Sequence, residues 1–117
     1  MSDIHLDSAV LAALQDVMED EYPVLLDTFV LDSEERLLVL RKAEQGADAQ
    51  GLRLAAHSFK GSCSNMGALM LAGLCRQLEE AGRREQLELA PDLLEQIERE
   101  FAIVRILLKS ERQRYRR

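Results

Sequence analysis

Residues 53–64 contain a histidine together with two cations, a glycine and a serine at helical spacing. On a helix with 3.6 residues per turn, Arg53, Lys60, Gly61 and Ser64 lie within about 60° of His57 around the axis. A neutral imidazole nitrogen is a nucleophile, nearby cations favour the neutral ring, and an ammonium group can stabilise phosphoryl oxygens. The cluster therefore fits a histidine that accepts and donates a phosphoryl group.

The same spacing predicts that His57 faces solvent. A continuous apolar stripe lies roughly 140° away from it around the helix axis. This stripe consists of Leu52, Ala56, Phe59, Cys63 and Met66. Gly61, on the histidine face, costs roughly 1 kcal/mol relative to alanine inside a helix and adds no packing. The absence of a side chain at Gly61 would leave space for another molecule to approach His57.

A longer segment carries a specific resemblance. Residues 57–68 read HSFKGSCSNMGA, and they are followed by Leu71, Cys75, Leu78 and Glu79. This segment resembles the signature of histidine-containing phosphotransfer domains, H-x-L-K-G-x-x-x-x-x-G-A, followed by an apolar-rich helix that ends around L-E. Phe59 stands where leucine is commoner, and Cys63 where a small hydroxyl residue is frequent. Both departures fall on the apolar stripe, so they affect packing more than chemistry.

The resemblance implies a role for each residue of the cluster. His57 would be the phosphoacceptor, Lys60 its charge partner, and Gly61 the residue that gives a partner access to the ring. Arg53 and Ser64 share that face, where they are either contacts for phosphate or a partner, or ordinary solvated side chains.

The resemblance also implies a fold and a set of partners. Members of the family form an antiparallel four-helix bundle with an additional short N-terminal helix, and Gly67-Ala68 would be the tight passage between two of its helices. The partners would be response-regulator receiver domains and a sensor histidine kinase of the hybrid type. The receiver would supply the Mg²⁺ site, so the chain needs no cofactor of its own and acts as a phosphocarrier without independent turnover.

Hydrophobic periodicity predicts helices of matching number and order. A short one is expected from Asp7, as its cap, to Met18, and a long one from Asp20–Pro23 to Gly46. Three more are expected over Ala47–Met66, Ala68–Arg84 and Pro91–Tyr115. Leucine and alanine dominate and aromatic residues make up only 4% of the chain, which favours an all-α fold over a sheet. We expect one domain over residues 1–117.

Composition narrows the class of partner. The net charge of −6 argues against sequence-independent nucleic-acid binding, which requires an excess of Lys and Arg.

Residues 1–10 lack the apolar run of a signal peptide or membrane span, so we expect a cytoplasmic protein. We also expect the protein to be a monomer. We expect His5 and the C-terminal arginines to be solvated, and Cys63 and Cys75 to be reduced core residues.

Other chemistries have weaker support in the sequence. The acidic run Glu19-Asp20-Glu21 could suggest a metal site, but it leads into a helix whose positive end it would favour more simply. Phosphate-loop, zinc-protease and serine-hydrolase motifs are missing from the sequence. Two rival functions remain: a kinase dimerisation module and an adaptor bundle that binds without using His57. A kinase dimerisation module would need an ATP-binding domain, and no such domain fits within 117 residues. The motif of that family typically has an acidic residue directly after the histidine, whereas Ser58 follows His57 in this sequence.

Overall fold

A computed structural model describes residues 4–115. Its helices are α1 (Ser8–Met18), α2 (Tyr22–Gln45), α3 (Ala49–Asn65), α4 (Leu69–Arg83) and α5 (Ala90–Gln113). Short 3₁₀ turns, Glu19–Glu21 and Leu87–Leu89, precede α2 and α5, and no strand occurs within residues 4–115. The predicted all-α bundle of four long helices with a short N-terminal helix is confirmed.

Local sequence explains where the helices begin. The Asp7 side chain accepts hydrogen bonds from the amides of Ala9 and Val10, as expected of a cap. α3 begins two residues later than predicted, because Ala47 has a φ of 51° and lies outside any right-handed helix. Asp48 then caps α3 by accepting from the amide of Gly51 at 2.9 Å.

α2 and α5 run antiparallel, in a register marked by three ion pairs. Asp27 pairs with Arg112, Glu34 with Arg105, and Arg41 with Glu98. The α2 members ascend in steps of seven residues while the α5 members descend by the same step, so the two helices point in opposite directions. Arg112 thus contacts another helix, and the prediction that it is simply solvated is wrong. Arg116 and Arg117 lie outside the described residues.

α3 and α4 approach each other closely at Gly82. A Cβ atom at Gly82 would lie 2.9 Å from the carbonyl oxygen of Ala49 and 3.0 Å from the amide nitrogen of Arg53. Only glycine fits there without displacing the α3 backbone. This contact sets the distance between the helix that carries His57 and the helix beside it.

The turn between α3 and α4 is the tight passage that the sequence predicted. Gly67 has a φ of 77°, a left-handed conformation in which a side chain would be strained. Its carbonyl accepts a hydrogen bond from the Asp7 amide at 2.9 Å, and a Cβ on Gly67 would lie 2.9 Å from Cβ of Val10. α1 is therefore held against this turn.

The two cysteines and His5 can be compared with their predicted surroundings. Cys63 and Cys75 are buried and free, as expected, and hydrogen bonding to Cys75 together with burial raises the pKa of the Cys63 thiol. His5 is not simply solvated, because its Nδ1 lies 2.7 Å from Oε2 of the buried Glu100. Within residues 4–115, no helix is long and apolar enough to cross a membrane.

Candidate functional site

His57 projects from the outer face of α3, as the periodicity predicted. Its side chain is 64% exposed, whereas Phe59 and Cys63, from the apolar stripe, are completely buried. The imidazole is thus fixed on a rigid helix while its ring stays open to solvent. Such a ring is accessible to the reactive group of another protein.

A carboxylate from α4 joins His57 to Lys60. Oε2 of Glu79 lies 2.8 Å from Nδ1 of His57, and Oε1 of the same group lies 2.7 Å from Nζ of Lys60. The Glu79 side chain is 20% exposed, so this bridge is partly shielded from water. Sequence reasoning included Glu79 in the family pattern but assigned it no place in the site. The L-E that ends the pattern was the signal that could have identified it.

The hydrogen bond to Glu79 determines which ring nitrogen is free. An ionised carboxylate only accepts hydrogen bonds, so Nδ1 of His57 carries a proton and donates it. In the neutral ring the lone pair then resides on Nε2, the nitrogen that does not contact Glu79. The arrangement therefore leaves Nε2 of this exposed ring as the nucleophilic nitrogen.

The ionised state of Glu79 is itself supported by its neighbours. Partial burial raises the pKa of Glu79, but hydrogen bonds from Lys60 and His57 outweigh this effect and hold the pKa below its usual value. The charged group in contact with the ring is consequently an anion. The sequence predicted only cations as charged neighbours of His57 and did not indicate this carboxylate, which contacts both His57 and Lys60.

The other predicted site residues differ in their surroundings. A Cβ on Gly61 would have no atom within 4 Å, so the surface beside His57 is open there. Ser64 is exposed, and Arg53 is half-buried beside Gly82. Within residues 4–115, neither Arg53 nor Ser64 makes a side-chain hydrogen bond or ion pair with another residue. The structure places both on α3 with His57 but links neither to it.

One contact on the α2 side of His57 was not expected from the sequence. Nη1 of Arg36, on α2, donates to Oγ of Ser58 at 2.5 Å. Ser58 follows His57 directly, so the guanidinium group lies in the groove between α2 and α3. No group of His, Cys, Asp or Glu side chains within residues 4–115 is arranged to hold a metal ion.

Comparisons with known proteins agree with this architecture. The sequence model of the Hpt domain matches residues 24–106. The crystal structure of histidine-containing phosphotransfer protein B (HptB) from Pseudomonas aeruginosa PAO1 is 70% identical in sequence and superposes with a TM-score of 0.97. That match covers 98% of this chain and 100% of the other. No curated protein sequence matches the chain. The match to the family over most of its length shows that this chain belongs to the Hpt domain family.

Proposed function

We propose that this protein is a phosphorelay intermediate that receives a phosphoryl group on Nε2 of His57 and passes it to an aspartate of a receiver domain. The observation that carries the proposal is the bridge from His57 through Glu79 to Lys60 on an exposed helix face. An imidazole with one nitrogen held as a donor and the other free has the geometry of a phosphoacceptor. Membership of the Hpt domain family supports histidine phosphotransfer as the activity.

The transfer step needs no redox partner. Nε2 of His57 attacks the phosphorus of an aspartyl phosphate, an N–P bond forms, the P–O bond to the aspartate breaks, and the carboxylate leaves. Positive charge grows on the ring as the N–P bond forms, and the Glu79 carboxylate hydrogen-bonded to Nδ1 offsets it. The reverse step returns the group to an aspartate. Positioning and electrostatics supply most of the rate enhancement.

Lys60 is placed to assist at the phosphoryl group. The Lys60 side chain is 28% exposed, and its ammonium group is held by Glu79. Lys60 lies one helical turn from His57 on α3. Once phosphoryl oxygens are present beside the ring, the ammonium can turn from Glu79 towards them. We assign Gly61 the role of leaving room for the partner, and Arg53 and Ser64 the role of contacts at the edge of the covered surface.

This function has consequences for the partners. The chain would act as a carrier without turnover of its own, between a sensor histidine kinase, of the hybrid type, and a response regulator. The Mg²⁺ required for the chemistry of the aspartate would belong to the receiver domain. A monomeric protein in the cytoplasm fits this role. An adaptor bundle, the alternative, would bind its partners equally well without His57.

The decisive experiment is labelling at a single residue. Incubation with phosphoramidate, and separately with a phosphorylated receiver domain, should give one acid-labile, base-stable phosphoryl group. His57→Gln should abolish the label with unchanged circular dichroism, whereas His5→Gln, the matched control at the other histidine, should retain it. A label that persists in His57→Gln, or that resists acid, would contradict the proposal.

A further inference from the structure

The outward side of α2 carries a row of large apolar side chains. Leu31 lies nine residues from the fully buried Tyr22 and Leu40, which places it about 180° away from them around the helix axis. Val24, Leu31 and Leu38 follow each other at intervals of seven residues, so they point within about 40° of one another. Their exposed fractions are 54%, 64% and 72%. We call these three residues the α2 stripe.

The α2 stripe has no part in the core or in the histidine site. It lies opposite the buried side of α2, whereas the bridge from His57 through Glu79 to Lys60 joins α3 to α4. A single exposed leucine is ordinary on a protein surface. A row that repeats at the helical period is different, because it forms a continuous apolar ridge that a second helix can cover.

Two charged side chains beside Leu38 have no partner among residues 4–115. Glu35 precedes Leu38 by three residues and Lys42 follows it by four, so both are neighbours of Leu38 on the outward side of the helix. Both are exposed, and neither makes an ion pair or a side-chain hydrogen bond with a described residue. They lie about 10 Å apart along the axis. Glu34 and Arg41, by contrast, are paired with residues of α5.

These two charges make the surface complementary to itself. When two α2 helices pack antiparallel about a two-fold axis at Leu38, Glu35 of each copy lies opposite Lys42 of the other. A parallel pair would instead bring Glu35 against Glu35. Each copy has a net charge of −6, so two copies repel each other at long range. The local pairing of opposite charges therefore favours the antiparallel contact over other arrangements of the two copies.

We propose that the α2 stripe is a self-association surface, on which a second copy of this chain packs its own α2 in the antiparallel direction. The Leu38 side chains of the two copies form the centre, Leu31 extends the apolar contact on either side, and Val24 lies beyond the paired segment. Two helices cover less than the roughly 1,600 Å² of a standard interface, so the dissociation constant is on the order of 100 µM and the dilute protein is monomeric. The inference does not rest on the proposed function.

The apolar part of the contact is tested by sedimentation velocity of the whole chain from about 10 µM to about 1 mM. Wild type should shift from monomer to dimer over this range. Leu38→Glu should weaken the association by about tenfold or more, because it brings two carboxylates together at the axis. Ile106→Glu is the matched control, since Ile106 is 66% exposed but lies on α5, and it should associate like wild type. A wild type that stays monomeric throughout, or a Leu38→Glu variant that dimerises equally well, would overturn the proposal.

The antiparallel direction is tested by charge reversal. Glu35→Lys and Lys42→Glu each place like charges opposite one another, so each variant alone should associate about tenfold more weakly than wild type. An equimolar mixture of the two should form a heterodimer, because every reversed charge then meets its opposite on the other copy. The double variant with both changes should likewise regain the wild-type association. Single variants that associate like wild type, or a mixture and a double variant that both stay monomeric, would show that the two α2 helices do not pair in this way.

Discussion

Oε2 of Glu79 lies 2.8 Å from Nδ1 of His57, although the two residues are 22 positions apart and belong to different helices. This contact turns an exposed histidine, which is common on helix surfaces, into one with a defined tautomer. It also brings Lys60 into the same network, since the other carboxylate oxygen contacts the ammonium. The reactivity that we propose for His57 therefore depends on a residue of α4.

Removal of the Glu79 carboxylate should slow phosphorylation of His57. Glu79→Leu leaves Nδ1 without an acceptor, so labelling by phosphoramidate should slow by roughly tenfold or more, which corresponds to about 1.4 kcal/mol in the barrier. Glu79→Gln keeps a hydrogen-bond acceptor on a side chain of the same length, so its labelling rate should lie between those of wild type and Glu79→Leu. Nitrogen NMR of His57 should show that the tautomer protonated on Nδ1 loses population in the same order. Equal rates and equal tautomer populations in all three proteins would contradict this role.

The contribution of Glu79 to stability should depend on pH with a defined sign. Its pKa is lower in the folded protein than the ordinary value of 4.5, so the ionised form is favoured by folding. That stabilisation is fully present above about pH 4.5 and is lost as the pH falls through the folded pKa. Urea unfolding from about pH 7 to about pH 3 should show that the difference between wild type and Glu79→Gln shrinks only at the acidic end. A difference that grows on acidification would show that the assigned direction is wrong.

Substitution of Gly61 should separate stability from transfer. A Cβ at this position meets no atom within 4 Å, so Gly61→Ala and Gly61→Gln should both raise the free energy of unfolding, by about 0.5–1 kcal/mol. Gly61→Gln should nevertheless slow transfer to the receiver, because its longer side chain obstructs the approach to His57. Gly61→Ala is the control for the helix effect alone. Transfer by Gly61→Gln at the wild-type rate would mean that the partner approaches from another side.

Substitution of Gly82 should have the opposite effect on stability. Gly82→Ala places a methyl group 2.9 Å from the carbonyl oxygen of Ala49, so α3 and α4 must move apart at a cost of about 1–3 kcal/mol. Gly73→Ala is the matched control on the same helix, where a Cβ meets no atom within 4 Å, and it should be neutral or stabilising. Thermal unfolding of the two variants gives the comparison. Equal melting temperatures would show that the close approach at Gly82 is relaxed at little cost.

Much of the fold could be predicted because its determinants are local. The apolar stripe through Leu52, Phe59 and Cys63 repeats at the helical period, so it indicated both the helix and the side that is buried. The cap at Asp7 and the glycine that follows α3 gave helix ends within a few residues. Ala47 was placed in a helix wrongly, because alanine favours helix and nothing in its own side chain reveals a left-handed backbone.

The exposed position of His57, with Lys60 and Gly61 on the same face, followed from the sequence alone, since all three share one helix of known period. The bridge through Glu79, the contact between Arg36 and Ser58, and the pairing of His5 with Glu100 were decided by the tertiary structure. Each of these contacts joins two segments that are distant in sequence. Its length depends on the register of the two segments along their axes and on the distance between them. Between α3 and α4 that approach is set at Gly82, where backbone meets backbone, and no periodic pattern within one helix specifies it.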